Sequence, residues 1–323
     1  ATDLGFSRYT SNWLEVVNDP KVDLVSVCTP NDTHAEIAIS ALKLGKSVWC
    51  EKPMSSSLLD SKKMLSASKK SRGKTIIGYN YTKNPSVLHA RELIESGTIG
   101  DIAGFFCRYD VDNEADKKRP WSWRMSRDAS GTGANGDILS HVISVAHFLV
   151  GSTISKVVGD INIVHPKRKD PANKKETKIV DNDDMIAALI HFKNGVHGHI
   201  GASRVTWGKK CGLTWEVHGT LGTITFDQER LNEIKLFTRQ KKKSTDGFRT
   251  ILTGPDHPFY KSFLPNGGHS LGFMDVKMCE LQMLLFAIEH DTETWPNFES
   301  GYDIEKVMNA VDRSALSGKW IKI

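Results

Sequence analysis

Between residues 22 and 78 the chain alternates short apolar runs with amphipathic stretches, and that alternation limits its fold more than any other feature. Val22–Val27 (VDLVSV) is a valine-rich run of the length of a buried strand. Thr33-His34-Ala35-Glu36 has the spacing of a capping box, hydroxyl then carboxylate three residues on, and predicts a helix to Leu44 with Gly45 as its stop. Ser47–Cys50 reads as a second strand. Ser57 caps a second helix, with Leu58, Met64 and Leu65 on its apolar side, and Thr75–Gly78 is a third strand. Strand–helix–strand–helix–strand with short connections calls for parallel strands and right-handed crossovers. Ligands of such sheets bind beyond the carboxyl ends of the strands. Here those ends are Cys28-Thr29-Pro30-Asn31, Cys50-Glu51-Lys52-Pro53 and Gly78-Tyr79-Asn80.

Past residue 80 the texture changes. A helix over Pro85–Ser96, stopped by Gly97, leads into a strand-like Ile102–Val111. Further strand patterns follow at Ser155–His165, Met185–Phe192, Val196–Ser203, Leu213–His218, Thr223–Asp227 and Ile234–Thr238, with Asn194-Gly195 as a hairpin signal. Helical segments over Phe273–His290 and Ser300–Leu316 close the chain. The fold class is therefore α/β, with an incomplete doubly wound parallel domain over 1–80 and an α/β domain with a large, mainly antiparallel open sheet over 81–323.

Several function classes fall away. No apolar run approaches the ~18 residues of a membrane span. Five widely spaced cysteines without CxxC exclude a disulfide framework and a zinc ribbon, and they suit a reducing, cytoplasmic setting. The net charge is +5, with basic runs at Lys167-Arg168-Lys169, Lys174-Lys175 and Lys241-Lys242-Lys243. These read as solvated loops, not a nucleic-acid surface, because no aromatics interleave with the charges. His197 and His199 share one side of a strand but have no third ligand in view, so no metal is expected. Gly131-Thr132-Gly133-Ala134-Asn135-Gly136 matches GxGxxG by letter, yet no buried strand precedes it, and the dinucleotide fingerprint requires one.

Two constellations can carry chemistry. Lys52 follows a strand end beside a proline; it is either a ligand contact or a surface lysine on a tight turn. Asp137 and His141 are four apart in a helical pattern over Asp137–Leu149, where a carboxylate can hold and polarise an imidazole for proton transfer. A helix-capping aspartate with an incidental histidine is the alternative.

The string VDLVSVCTPNDTHAEIAISALKLGKSVWCEKP resembles the second half of the nucleotide domain of Gfo/Idh/MocA oxidoreductases, the relatives of glucose–fructose oxidoreductase and inositol 2-dehydrogenase. GYNYTKNP, SWR and GTGANGDILSHVISVAHFLVG resemble that family's later blocks in the same order, so the likeness runs along essentially the whole chain. The resemblance implies a Rossmann domain followed by an α/β domain, an NAD or NADP cofactor, and oxidation of a secondary hydroxyl of a sugar, anhydrosugar or inositol. It implies catalytic roles for Lys52, Asp137 and His141, with Lys52 also touching the cofactor. Thr29, Pro30, His34, Glu51 and Asn80 match positions lining the cofactor, and Trp123 and Arg124 a block that reaches it in some members. A homo-oligomer, dimer or tetramer, is implied as well; His197, His199 and their neighbours Val196, Gly198 and Ile200 leave neither sheet face strongly charged. Where the family often carries a second aspartate after the histidine, this chain has Ser144. The family's N-terminal GxGxxG unit is absent from these residues, and a preceding segment carrying it is expected. Other members are NAD-dependent glycosidases or ligand-sensing regulators on the same fold; the lysine, aspartate and histidine together argue against a regulator.

Overall fold

The computed structural model describes residues 2–173, 175–240 and 242–323; Lys174 and Lys241, members of the two basic runs, lie outside the described residues. The chain forms two compact units, one of residues 1–78 with 281–302, the other of residues 79–280 with 303–323.

The first unit begins with α1 (Trp13–Asn18), then β1 (Leu24–Val27), α2 (His34–Lys43), β2 (Ser47–Cys50), α3 (Leu58–Ser68) and β3 (Thr75–Ile77). The strands pair in parallel in the order β1-β2-β3. Val25, Val27, Val48, Cys50, Ile76 and Ile77 are all buried. Ser57 caps α3, accepting from the Asp60 amide at 3.1 Å. Thr33 does not cap α2. Its hydroxyl is engaged within the preceding turn, donating to the Pro30 carbonyl (2.7 Å) and hydrogen-bonded to the Thr29 hydroxyl (2.6 Å), because residues 31–33 wind as a 3-10 turn first.

Residues 281–302, which sequence reading assigns to the second domain, belong to the first. Along β3 the Ile77 amide donates to the Pro296 carbonyl (2.9 Å), the Phe298 amide to Thr75 Oγ1 (3.2 Å), and the Thr294 hydroxyl to the Thr75 carbonyl. The segment satisfies a strand edge that would otherwise present open donors and acceptors. Nothing in its local pattern reveals that partner, some 220 residues away.

The second unit carries α4 (Pro85–Glu95), β4 (Ile102–Asp110), α5 (Arg127–Ser130), α6 (Ser140–Val150), β5 (Ile154–Asn162), β6 (Lys167–Lys169), β7 (Thr177–Ile179), β8 (Met185–Phe192), β9 (His197–Ser203), β10 (Gly212–Gly219), β11 (Gly222–Asp227), β12 (Glu233–Thr238), β13 (Arg249–Leu252), α7 (Phe273–His290), α8 (Phe298–Ser317) and β14 (Ile321–Lys322). Helices α7 and α8 each contribute residues to both units. Among the described residues nine strands join in the order β13-β12-β11-β10-β4-β9-β8-β5-β14. The sheet is antiparallel except at its centre, where β4 and β9 run parallel. One face is apolar, with Phe105, Ile186, Ile190, Ile200, Leu213, Trp215 and Ile224 buried. Helix α6 packs against it through β4 and β9. Val142, Ile143, Val145, Ala146, Leu149 and Val150 of α6 are buried around most of its circumference, as expected of a central helix. Each large side chain so buried contributes about 1.5–3 kcal/mol. Gly151 ends α6 at φ 67°, a left-handed position that favours glycine.

The run Lys167–Lys169 is not a solvated loop. It forms β6 of a β6–β7 hairpin, and Arg168 points inward, 2% exposed, donating to the carbonyls of Asp116 and Glu114. The outward sheet face is also more charged than the His197–Ile200 pattern suggests. Arg108, Glu216, Asp227, Arg230, Glu233 and Lys235 line a groove there around Phe106, which sits 4.7 Å from both His199 and His218.

Candidate active site

In the first unit, pairing continues past the strands. The Glu51 amide donates to the Val27 carbonyl (2.9 Å) and the Gly78 amide to the Cys50 carbonyl (2.8 Å), which sets the strand-end loops side by side. Thr29 and Pro30 are exposed on the first loop, and Glu51 and Lys52 are half-buried on the second. The Lys52 amide donates to Glu51 Oε2 (3.2 Å), and the Lys52–Pro53 peptide is cis. His34, expected to line a cofactor, opens α2. It is 1% exposed, with Nδ1 3.1 Å from the Pro53 carbonyl and Nε2 2.9 Å from the Thr29 carbonyl. Its ring lies between carbonyls of the two loops, and a neutral imidazole donates to one of them.

In the second unit, Gly131–Gly136 leads into a helix, not around a phosphate. Asn135–Leu139 winds as a π-helical turn and passes directly into α6. Asp137 lies in the π turn and is exposed; His141 lies one turn on and is 5% exposed. The wider winding modifies the simple rule that residues four apart share a face, and such turns recur at functional sites. Three tyrosines surround His141: Tyr79 edge-on at 5.5 Å, Tyr81 at 4.6 Å and Tyr109 at 6.0 Å between ring centroids. The Tyr81 and Tyr109 hydroxyls are 2.9 Å apart, and each lies 3.5 Å from Cys211 Sγ. Burial raises both phenol pKa values, with the nearby Cys211 adding to the rise at each and the Asp137 charge adding at Tyr81, so both stay neutral hydrogen-bonding groups.

Asn80 is 2% exposed, and its Nδ2 has no hydrogen-bond partner among the described residues; a ligand oxygen would satisfy it. Trp123 is half-buried, with the Arg124 guanidinium 4.4 Å from its ring, and the Arg124 side chain is exposed. Ser144 is wholly buried on α6. The ten residues singled out from sequence thus divide: Thr29, Pro30, His34, Glu51 and Lys52 in the first unit, and Asn80, Trp123, Arg124, Asp137 and His141 in the second. Among the described residues no group of three or more His, Cys, Asp or Glu could hold a metal ion.

Sequence comparison matches residues 1–79 to a model described as an oxidoreductase family with an NAD-binding Rossmann fold, and residues 87–225 to the GFO/IDH/MocA C-terminal domain. The chain belongs to the Gfo/Idh/MocA oxidoreductase family. It is an enzyme of a family of NAD-dependent sugar and polyol dehydrogenases. This Gfo/Idh/MocA oxidoreductase is 34% identical over 333 residues to levoglucosan dehydrogenase of Pseudarthrobacter phenanthrenivorans, covering 100% of this chain and 85% of that protein. It is 28% identical over 240 residues to myo-inositol 2-dehydrogenase of Thermotoga maritima, covering 73% of this chain and 66% of that one. A solved levoglucosan dehydrogenase in complex with NADH and levoglucosan superposes with a TM-score of 0.96 at 35% identity, over 100% of this chain and 86% of that one.

In this oxidoreductase the tyrosine wall escaped sequence reading. Tyr79 and Tyr81 stand beside a strand end and could have been flagged by that position. Tyr109 and Cys211 come from β4 and from the residue before β10, and only the β4–β10 pairing brings them together.

Proposed function

We propose that this enzyme oxidises a secondary hydroxyl of an anhydrosugar of the levoglucosan type, with NAD as its cofactor. The observation that carries this reading is the buried His141, held among three tyrosine rings one turn after Asp137, in a chain that aligns along its whole length with levoglucosan dehydrogenase. The strand-end residues Thr29, Pro30, Glu51 and Lys52 would hold the cofactor, and Asn80 offers it a buried donor. When bound, the nicotinamide supplies the hydride acceptor. His141 takes the proton of the substrate hydroxyl, and the Asp137 carboxylate stabilises the resulting imidazolium. The Lys52 ammonium stabilises negative charge developing on the substrate oxygen. Tyr79, Tyr81 and Tyr109 fix the imidazole ring and keep water from its faces.

The test is NADH formation by the purified protein on levoglucosan, myo-inositol and hexoses. Levoglucosan is expected to give the highest kcat/KM. Cleavage of aryl glycosides without net NADH would replace this reading with a glycosidase, and cofactor binding without turnover would replace it with a sensor.

The charged outer face of the large sheet supports a second part of the proposal, a homo-oligomer in solution. Arg108, Glu216 and Glu233 offer charges of both signs around the half-buried Phe106. Light scattering at micromolar concentration is expected to give a dimer or tetramer mass, and Phe106→Glu to lower it. A monomeric wild-type mass would refute this.

A further inference from the structure

We propose that Asp183 is a positioning residue for the reaction, acting as the N-terminal cap of the helix that carries Asp137 and His141 although it lies 42 residues beyond His141 in sequence. The proposal rests on the reading of His141 as the proton acceptor.

That helix has no cap of its own. Ala134 stands at the capping position and has no side-chain acceptor, so the first amides need partners from elsewhere. Asp183 supplies them. Its side chain is 0% exposed. Oδ1 accepts from the Gly133 amide (3.0 Å) and, more distantly, from the Thr132 hydroxyl (3.4 Å); Oδ2 accepts from the Asn135 amide (2.6 Å). The Asp183 carbonyl accepts from the Ala134 amide (2.9 Å), and Thr132 Oγ1 accepts from the Gly136 amide (3.2 Å). Four successive amides, 133 to 136, are thereby held by one buried residue and the threonine bonded to it.

Burying a carboxylate is costly unless it is fully bonded, and a helix N-terminus is where negative charge is best accommodated. Arg127 lies 3.9 Å from Oδ1 and adds positive charge. There is no slack in the arrangement. A Cβ on Gly133 would sit 2.1 Å from the Asp183 carbonyl oxygen, so the two backbones are in direct contact.

The cap matters for chemistry because Asp137 and His141 sit within the first two turns beyond it. The Asp137 amide donates back to the Gly133 carbonyl (3.1 Å), and the π turn opens at Asn135, whose amide Asp183 holds. Where that wide turn begins sets the rotation of Asp137 relative to His141. With the carboxylate gone, the turn can rewind and swing Asp137 away from the position that serves the histidine.

The test compares Asp183→Asn with His141→Ala on the intact enzyme. Asparagine keeps the shape but turns one acceptor into a donor facing an amide. We expect kcat to fall by about 10²-fold, the scale of a misplacement near 1 Å, with KM for NAD held and the primary isotope effect from deuterated substrate increased. A purely structural Asp183 would instead reduce the folded fraction and leave both the isotope effect and kcat per folded molecule unchanged, which would overturn the proposal. If Asp183→Asn does not fold, Thr132→Val removes the bridging hydroxyl at a half-buried site. It should show the same kcat-against-KM split, with Thr132→Ser restoring turnover; an unchanged kcat in Thr132→Val would then overturn the proposal. Wild-type turnover by folded His141→Ala would overturn the underlying reading, and the proposal with it.

Discussion

Replacing His141 with alanine is expected to lower kcat by about 10²–10⁴-fold, the range for loss of a general base, in a protein that still folds. Asp137→Asn should act in the same direction, because it removes the charge that stabilises an imidazolium while nearly preserving shape. Lys52→Met should slow turnover and weaken NAD binding together. The competing view of Asp137 as a helix cap makes a different prediction: a stability loss of about 0.5–2 kcal/mol on replacement by alanine, with kcat intact. The structure weakens that view. Asp137 lies within the π turn, and Asp183 and Thr132 already hold the amides that open it. Steady-state kinetics on levoglucosan, with melting temperature as the folding check, separates the two. Wild-type kcat in folded His141→Ala would eliminate the proton-transfer assignment.

A second large effect is expected on stability against pH. His147, on α6, is buried, and its Nε2 accepts the Ile154 amide at 3.1 Å. Burial in this apolar setting pushes its pKa down from 6.5 to about 4, with smaller opposing and reinforcing charge effects from Asp303, Lys306 and Lys193. Between those values the unfolded chain binds a proton that the folded chain refuses, so stability is fully present above the unfolded pKa and falls as pH drops towards about 4. At about 1.4 kcal/mol per pH unit the loss sums to about 3 kcal/mol. Protonation would also place an N–H against the Ile154 amide, which opposes it for the same reason. Urea unfolding at neutral pH and at about pH 4.5 should show most of this difference in the wild type. His147→Gln, which does not titrate and still offers an acceptor, should reduce it by about 2–3 kcal/mol. An equal acid loss in both proteins would place the titration elsewhere.

Local pattern carried the reading furthest where partners lie close in sequence. The three parallel strands and the Ser57 cap follow from periods and end signals that a dozen residues contain. The strands β8 and β11 are visible as alternations, because one face of the sheet is more buried than the other. The pattern misled where a side chain had a better distant partner. Arg168 reads as one charge in a basic run, yet two carbonyls more than fifty residues away draw it inside. Thr33 matches a capping box, but its hydroxyl is engaged by the Pro30 carbonyl and the Thr29 hydroxyl instead.

The candidate site divides the same way. Lys52, Asp137 and His141 could be picked out from strand ends and helical spacing, since each position follows from the element that carries it. The surroundings of the histidine could not. Tyr109 and Cys211 reach it through strand pairing, and Asp183 reaches the start of its helix through hydrogen bonds spanning about fifty residues. The sequence by itself determined the order of elements, the apolar faces and the residue types able to move a proton, because these depend on neighbours within a turn or a strand. Only the tertiary structure decided that residues 281–302 pair with β3, that the helix opens as a π turn, and that a buried aspartate from another segment holds it there. Those outcomes depend on which distant donors and acceptors must be satisfied once burial has removed water from them.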